Sequence, residues 1–182
     1  MTTQPKRNPE TEAKLYNERL TFYHANGQGT GTAVQFEPRI NQHPGDRYNC
    51  FFLDMAPQKT VGRRGEGEPA HATFDWERKV TVKLGFADIS ELLSVLDGVS
   101  DHVGGKRESL YHQSGATNTM IRFSRHDSGG IALSLSRKSA DSDEASRVGT
   151  ILSPQESVGL GHVLRVGLFF ITFPGIASTV RT

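Results

Sequence analysis

One cysteine, Cys50, is all the thiol chemistry in the 182 residues of this chain. A lone thiol excludes an internal disulfide and gives no sign of an oxidising compartment. No apolar run approaches the roughly 18–20 residues of a membrane-spanning helix, and Met1–Lys14 lacks the apolar stretch of a secretory signal. A soluble intracellular protein, without a membrane partner, is expected. An excess of either charge is lacking too: 21 Lys and Arg stand against 20 Asp and Glu, a formal net charge of +1. That excludes a chain coated in basic residues, so any anion must be met by a local patch. Apolar residues are only 35% of the total, enough for a core only if they recur regularly along strands and helices.

Catalytic signatures are equally scarce. The seven histidines are scattered, with no H-x-x-x-H pair and no partner cysteines, so no metal site is expected. Gly27-x-Gly29-x-Gly31 hints at a phosphate cradle but lies between two strand-like segments, where a hairpin turn is the better reading. Gly104-Gly-Lys-Arg-Glu-Ser109 lacks the first glycine of a phosphate-binding loop and ends in the wrong residues. There is no G-x-S-x-G, and Cys50 sits in the apolar run Cys50-Phe-Phe-Leu53, which suits packing better than nucleophilic attack. Without carboxylates paired at metal-binding spacing, a nuclease is disfavoured. The expectation is a protein without catalytic activity or cofactor.

What is present is regular alternation. After a tail over 1–18, Arg19-Leu-Thr-Phe-Tyr-His24 alternates, Asn26-Gly-Gln-Gly29 interrupts, and Thr30–Arg39 resumes with Val34 and Phe36 on one side. Residues 41–47 read as a loop, Tyr48–Met55 as a third strand, and Gln58–Thr73 as a long flexible excursion. Lys79–Leu84 is a fourth strand with Val80, Val82 and Leu84 inward and Lys79, Thr81 and Lys83 outward. Ile89, Leu92, Leu93 and Leu96 then follow helical spacing, with Asp88 and Glu91 as a capping box and Gly98 as the stop.

The same grammar repeats. Strands are expected over Glu108–His112, Asn118–Arg125, Ile131–Arg137 and Arg147–Leu152, with Lys138–Ser146 as a charged linker. Ser153-Pro-Gln-Glu156 opens a second helix with a capping serine, a first-turn proline and a capping-box glutamate. Its apolar stripe is Leu160, Val163, Leu164, Leu168 and Ile171, and Pro174-Gly175 ends it. The chain thus reads as one α+β domain over 19–175, made of two ββββα repeats (about 19–98 and 107–175), with a tail over 176–182. Each repeat gives an antiparallel four-stranded sheet with a helix on its inner side and a wet outer face.

Those outer faces are where binding is expected. Lys79, Lys83, Arg122, Ser124, Ser134 and Ser136 point outward by alternation, with Arg125 and Arg137 at strand ends. Tyr23, Tyr48, Phe52 and Tyr111 are interleaved with them and could stack unpaired bases. Charge is also uneven: Lys59–Lys83 carries six basic and four acidic residues.

Four residue strings add a resemblance. Phe36-Glu-Pro-Arg39, Phe74-Asp-Trp-Glu-Arg-Lys79, Leu110-Tyr-His112 and the Ser153-Pro helix start occur in the order and approximate spacing of Whirly proteins. The chain resembles a bacterial-type relative of that family over about residues 19–174, and its layout is similar to the mitochondrial RNA-binding proteins that anneal guide RNAs. The resemblance implies two sheets packed roughly at right angles and a homotetramer held by helices. It also implies binding of single-stranded DNA or RNA, DNA favoured, with little sequence preference. Gly29-Thr-Gly-Thr-Ala-Val34 stands where the family has its binding motif, which brings Gly31 and Thr32 into the expected site; the motif's two lysines have no counterpart. The expected interface has Lys79, Lys83, Arg122 and Arg137 on phosphates and Tyr23, Phe52, Trp76 and Tyr111 on bases. A cytoplasmic, nucleoid-associated role in recombination, repair or transcription goes with it. The rival reading is a scaffold that docks another protein through Lys59–Thr73, which the missing lysines favour.

Overall fold

The computed structural model describes residues 19–40, 49–63, 70–141 and 144–173. The two expected tails, the 41–47 loop, Tyr48 and the Pro174-Gly175 stop lie outside the described residues. The alternating segments form β1 (Leu20–His24), β2 (Thr32–Arg39), β3 (Cys50–Thr60), β4 (Thr73–Phe74) and β5 (Val80–Leu84), then helix α1 (Phe86–Leu96). The second repeat gives β6 (Leu110–Ser114), β7 (Thr117–Arg125), β8 (Ile131–Ser139), β9 (Ala145–Leu152) and helix α2 (Pro154–Thr172). Both sheets are antiparallel. The first runs β1-β2-β3 with β4 and β5 both paired to β3, and the second runs β6-β7-β8-β9.

The first sheet therefore has a fifth, two-residue strand that the sequence pattern did not reveal. β3 also continues through Thr60, where a flexible excursion was expected. The cause is Gln58. Its buried amide accepts from the backbone N–H groups of Asn26 and Gly31 (2.9 and 3.0 Å) and donates to the carbonyls of Asn26 and Thr60 (3.0 and 2.9 Å). One side chain thus ties the β1–β2 turn to β3. Likewise β8 and β9 extend into the expected charged linker, to Ser139 and from Ala145.

Helix α1 starts a turn earlier than the capping pattern suggested. Gly85 is the N-cap, and the Asp88 carboxylate reaches back to its N–H (2.8 Å), while Glu91 accepts instead from the Gly104 N–H (3.2 Å). Gly98, at φ +72°, ends the helix as expected, a left-handed position that glycine adopts without a Cβ clash. Helix α2 keeps its expected start: the Glu156 N–H donates to Ser153 Oγ (3.2 Å) and the Ser153 N–H to Glu156 Oε2 (2.7 Å).

Two histidines join the repeats. His24 of β1 contacts Glu156 of α2 (3.0 Å), and His112 of β6 contacts Asp88 of α1 (2.9 Å). Each helix thus begins on a carboxylate shared with the first strand of the opposite repeat. Burial works to raise the pKa of Glu156, but the Ser153 hydrogen bonds and the His24 contact outweigh it and hold the carboxyl below its usual value.

Inner faces of both sheets meet the helices in one apolar cluster. It includes Val34, Phe36, Phe51 and Leu53 from the first sheet, Ile121, Phe123, Leu133 and Leu135 from the second, and Ile89, Leu92, Leu160 and Leu164 from the helices. Helix α2 comes close to β3 at Gly167, which lies against the Phe51 ring. A methyl there would overlap the ring, so Gly167→Ala is expected to destabilise by about 1–3 kcal/mol through overpacking. Gly159, on the open side of the same helix with nothing within 4 Å of a Cβ, is expected to respond oppositely: its change to Ala stabilises by up to about 1 kcal/mol. Urea unfolding of the two variants checks both signs.

Candidate nucleic-acid interface

Register decides which side chains share the outer face of the second sheet. Tyr111, Met120, Ser136 and Arg147 lie in one row across all four strands, and Arg122, Ser134 and Gly149 form the next. Strands are spaced about 4.8 Å apart, so a row spans roughly 14 Å, the length of two or three nucleotides of an extended strand. The floor of this face is small: Gly149 has no side chain, and a Cβ there would press on Ser134 at 3.1 Å. Tyr111 stands at one side, 54% exposed, its hydroxyl donating to Asn118 Oδ1 (2.6 Å). Arg122 and Arg147 are exposed, and among the described residues neither has an ion pair.

Arg137 does not belong to this face. It shares parity with Ile131, Leu133 and Leu135, so β8 turns it inward, where Nε donates to Thr119 Oγ1 (3.3 Å) and Nη2 to the Thr81 carbonyl of the first sheet. It is a tie between sheets. A second tie runs from Thr32 Oγ1 to the Gly149 carbonyl (2.9 Å), which gives the buried Thr32 a structural partner. Gly31 is buried too: a methyl there would meet the His24 carbonyl and the Gln58 amide. The close backbone approach at this glycine is to its own chain.

Where β9 meets the first sheet a groove of about 480 Å³ opens. Lys59, Arg78 and Lys79 line one wall and Arg147 the other, with Asp75 as the groove's carboxylate. Arg147 belongs both to the groove and to the Tyr111 row, so one cation joins the two surfaces. Asp75 caps the one-turn 3-10 helix Trp76–Arg78 by accepting from the Arg78 N–H (3.3 Å), and Trp76 is half-buried at its start.

Lys79 is not an independent cation. Its Nζ lies 2.6 Å from Asp54 Oδ2, and Asp54 also accepts from Thr81 Oγ1 (2.5 Å) and Gln35 Nε2 (3.5 Å). Asp54 is only 2% exposed on the outward side of β3, so this carboxylate needs Lys79. The rest of the first sheet's outer face is similarly occupied. Glu37 holds Arg19 (3.2 Å) and Arg39 (2.7 Å), and the Arg39 guanidinium lies 5.7 Å from the ring centre of half-buried Phe52. Lys83 is paired in register with Phe52. Tyr23, 63% exposed, leans on Phe74 with ring centres 5.5 Å apart.

The expected site residues thus separate. Tyr111 and Arg122 share one open face; Lys79 lines the groove, and Trp76 opens the 3-10 turn next to it without lining it; Tyr23, Phe52 and Lys83 lie on the first sheet; Gly31, Thr32 and Arg137 are turned to the protein itself. Sequence reasoning missed Arg147, Arg78 and Lys59. For Arg147 a signal existed: inward Val148, Thr150 and Leu152 force Arg147, Gly149 and Ile151 outward by alternation. Nothing local marks Lys59 and Arg78, which face Arg147 only because the two sheets meet there.

This doubled arrangement of sheet and helix is the Whirly fold. The chain is similar to the plant transcriptional regulator PBF-2, with a TM-score of 0.66 and 16% identity, over 91% of this chain and 87% of that one. It is similar to WHY1 from Arabidopsis thaliana, with a TM-score of 0.62 and 17% identity, over 90% and 93%. A guide-RNA-binding protein complex bound to a gRNA also matches, with a TM-score of 0.55 and 21% identity, over 87% and 94%. No protein-family model and no curated protein sequence matches the chain.

The pairing of Lys79 generates a contrast. Lys79→Ala leaves Asp54 buried without its cation and is expected to destabilise the fold by about 1–3 kcal/mol, whereas Arg147→Ala leaves the melting temperature unchanged within about 1 °C, as for other exposed unpaired positions. Thermal unfolding of the two variants side by side reads the difference.

Proposed function

We propose that this protein binds single-stranded nucleic acid through the outer face of its second sheet and the adjoining groove, with little sequence preference. The observation that carries the reading is the continuous track from Tyr111 past Arg122 to Arg147 and on to Arg78 and Lys59. It combines a ring for base stacking with cations at strand spacing, over a floor of serine and glycine that lets bases approach. An open sheet offers nothing shaped to enter a duplex groove, whereas unpaired bases can lie on it. Stacking and phosphate contacts do not require a 2′-hydroxyl, so single-stranded DNA suffices as ligand and is the favoured one. The nucleic-acid-binding neighbours of the same fold support this reading. The protein would protect, present or anneal strands without catalysing a reaction on them.

A net charge of +1 implies few phosphate contacts per protomer, so useful affinity calls for several copies acting together. The C-terminal half of α2 offers the means. Val166, Phe169 and Phe173 are 59%, 46% and 51% exposed along one side of the helix, an apolar strip of the kind that marks a protein contact. We place the contact between copies there, in a homo-oligomer of the tetrameric kind.

Four cations on the track that are in no ion pair among the described residues (Lys59, Arg78, Arg122 and Arg147) set the expected salt response. In gel shifts with labelled oligo-dT, log affinity should fall against log salt with a slope of about −3, and Arg122→Ala/Arg147→Ala should reduce it to about −1.5. Equal binding of a random duplex, or a salt-independent affinity, overturns the reading; loss of nucleic-acid binding altogether leaves the docking of a protein partner on the same fold. For the assembly, Phe169→Asp is expected to sediment as a monomer and to bind oligo-dT about 100-fold more weakly, the lower end of the usual gain from multivalency.

A further inference from the structure

On the opposite side of the second sheet lies a separate place for an anion. Alternation along β7 sends Arg122 outward and Arg125, three residues later, inward toward the helix ends. There a cleft of about 410 Å³ opens between the end of α1, the first half of α2 and the β7–β8 turn. This volume lies in the range of small-molecule pockets, roughly 300–1,000 Å³. Arg125, His126, His162 and Arg165 all reach it, against the single carboxylate of Asp97. That carboxylate is already held by Arg165 Nη2.

Arg125 is the informative residue. Its guanidinium lies against Gly98, whose missing side chain makes room for it: a Cβ would come 2.7 Å from Nη1. Three of the carbonyls at the end of α1, which a nearby arginine often serves, already have partners. Leu93 O accepts from the Asp97 N–H (2.8 Å), Ser94 O from Val99 and Ser100 (2.9 and 3.1 Å), and Val95 O from Gly98 (3.1 Å). Among the described residues the Arg125 side chain has no hydrogen bond or ion pair. An uncommitted guanidinium in a concave wall, with a second guanidinium and two imidazoles lining the same cleft, matches the charge and hydrogen-bonding needs of a phosphate. Leu96, Ile131 and Val158 line the same cleft and would receive an apolar or flat body.

We propose that this cleft binds a phosphate ester of nucleoside-monophosphate size, with Arg125 and Arg165 on the phosphate. The phosphate could belong to a free nucleotide or to the 5′ end of a strand, and only the second source depends on the nucleic-acid reading above.

The test is calorimetric titration of the full chain with adenosine 5′-monophosphate, with adenosine as the control lacking phosphate. The monophosphate is expected to bind, adenosine to bind at least about tenfold more weakly, and Arg125→Gln to weaken the monophosphate at least about tenfold, as loss of a charge-assisted contact does. Lys106→Gln, an exposed cation outside both surfaces, should leave it unchanged. His162→Gln, on the solvent side of α2, provides a second variant with a smaller expected loss should Arg125→Gln melt early. No saturable binding of the monophosphate, or equal binding by adenosine or by both cleft variants, overturns the proposal. Oligo-dT with a 5′-phosphate or a 5′-hydroxyl then identifies the source. A preference for the phosphorylated strand that Arg125→Gln abolishes assigns the strand end; monophosphate binding without that preference assigns the free ester.

Discussion

Alternation limits what a strand can give: every second side chain goes to the core and the others to the opposite face. In this protein two sheets and two helices share one apolar cluster, so most inner-facing positions are committed to it, with Arg137 and Arg125 at the strand ends as the polar exceptions. Function is left with the outer faces, the line where the sheets meet and the margin where strand ends reach the helices. That constraint explains how a chain with only 35% apolar residues folds at all, since the same few leucines, valines and phenylalanines serve both halves. It also explains why the charged and aromatic residues of the candidate interface come from four strands and a 3-10 turn that lie far apart in the chain.

Near-neutrality of the whole hides unequal faces. On the first sheet, Asp54 and Glu37 are buried on the outward side and hold Lys79, Arg19 and Arg39. Those cations preserve the fold and are poorly placed to leave their partners for phosphate. On the second sheet the floor is serine and glycine, and among the described residues Arg122 and Arg147 are in no ion pair. The two faces therefore differ in what they can offer a ligand. The difference lies in whether the central strand carries an acid, Asp54 on β3, or a hydroxyl, Ser134 and Ser136 on β8.

Much of this architecture could be read from the sequence because it is written in local patterns. The α2 start at Ser153, the α1 stop at Gly98, the inward series of β5, β7 and β8, and the doubled plan all follow from neighbours within a few residues. What escaped depends on distant partners. The extension of β3 needs the Gln58 amide to meet the β1–β2 turn, and the commitment of Lys79 needs Asp54, 25 residues away. Arg137 is a different case: its parity with Leu133 and Leu135 already placed it inside, and its charge argued for the surface. The structure resolves that conflict with a carbonyl and a threonine hydroxyl from two other strands. Arg147 was legible by the same parity, but its partners across the groove were not.

The exchange of histidine and carboxylate between repeats bears on how the molecule comes into being. Each helix start includes a contact from a strand that belongs to the other half, so neither ββββα unit contains all the groups that hold its own helix. The two halves resemble each other as a duplicated module would, yet they have become interdependent. Residues more than a hundred positions apart, His24 and Glu156, must meet before the second helix is fully secured, which makes late, long-range closure part of the folding route. A repeat cut out along its sequence boundary would be a fragment, and the indivisible unit of this fold is the pair.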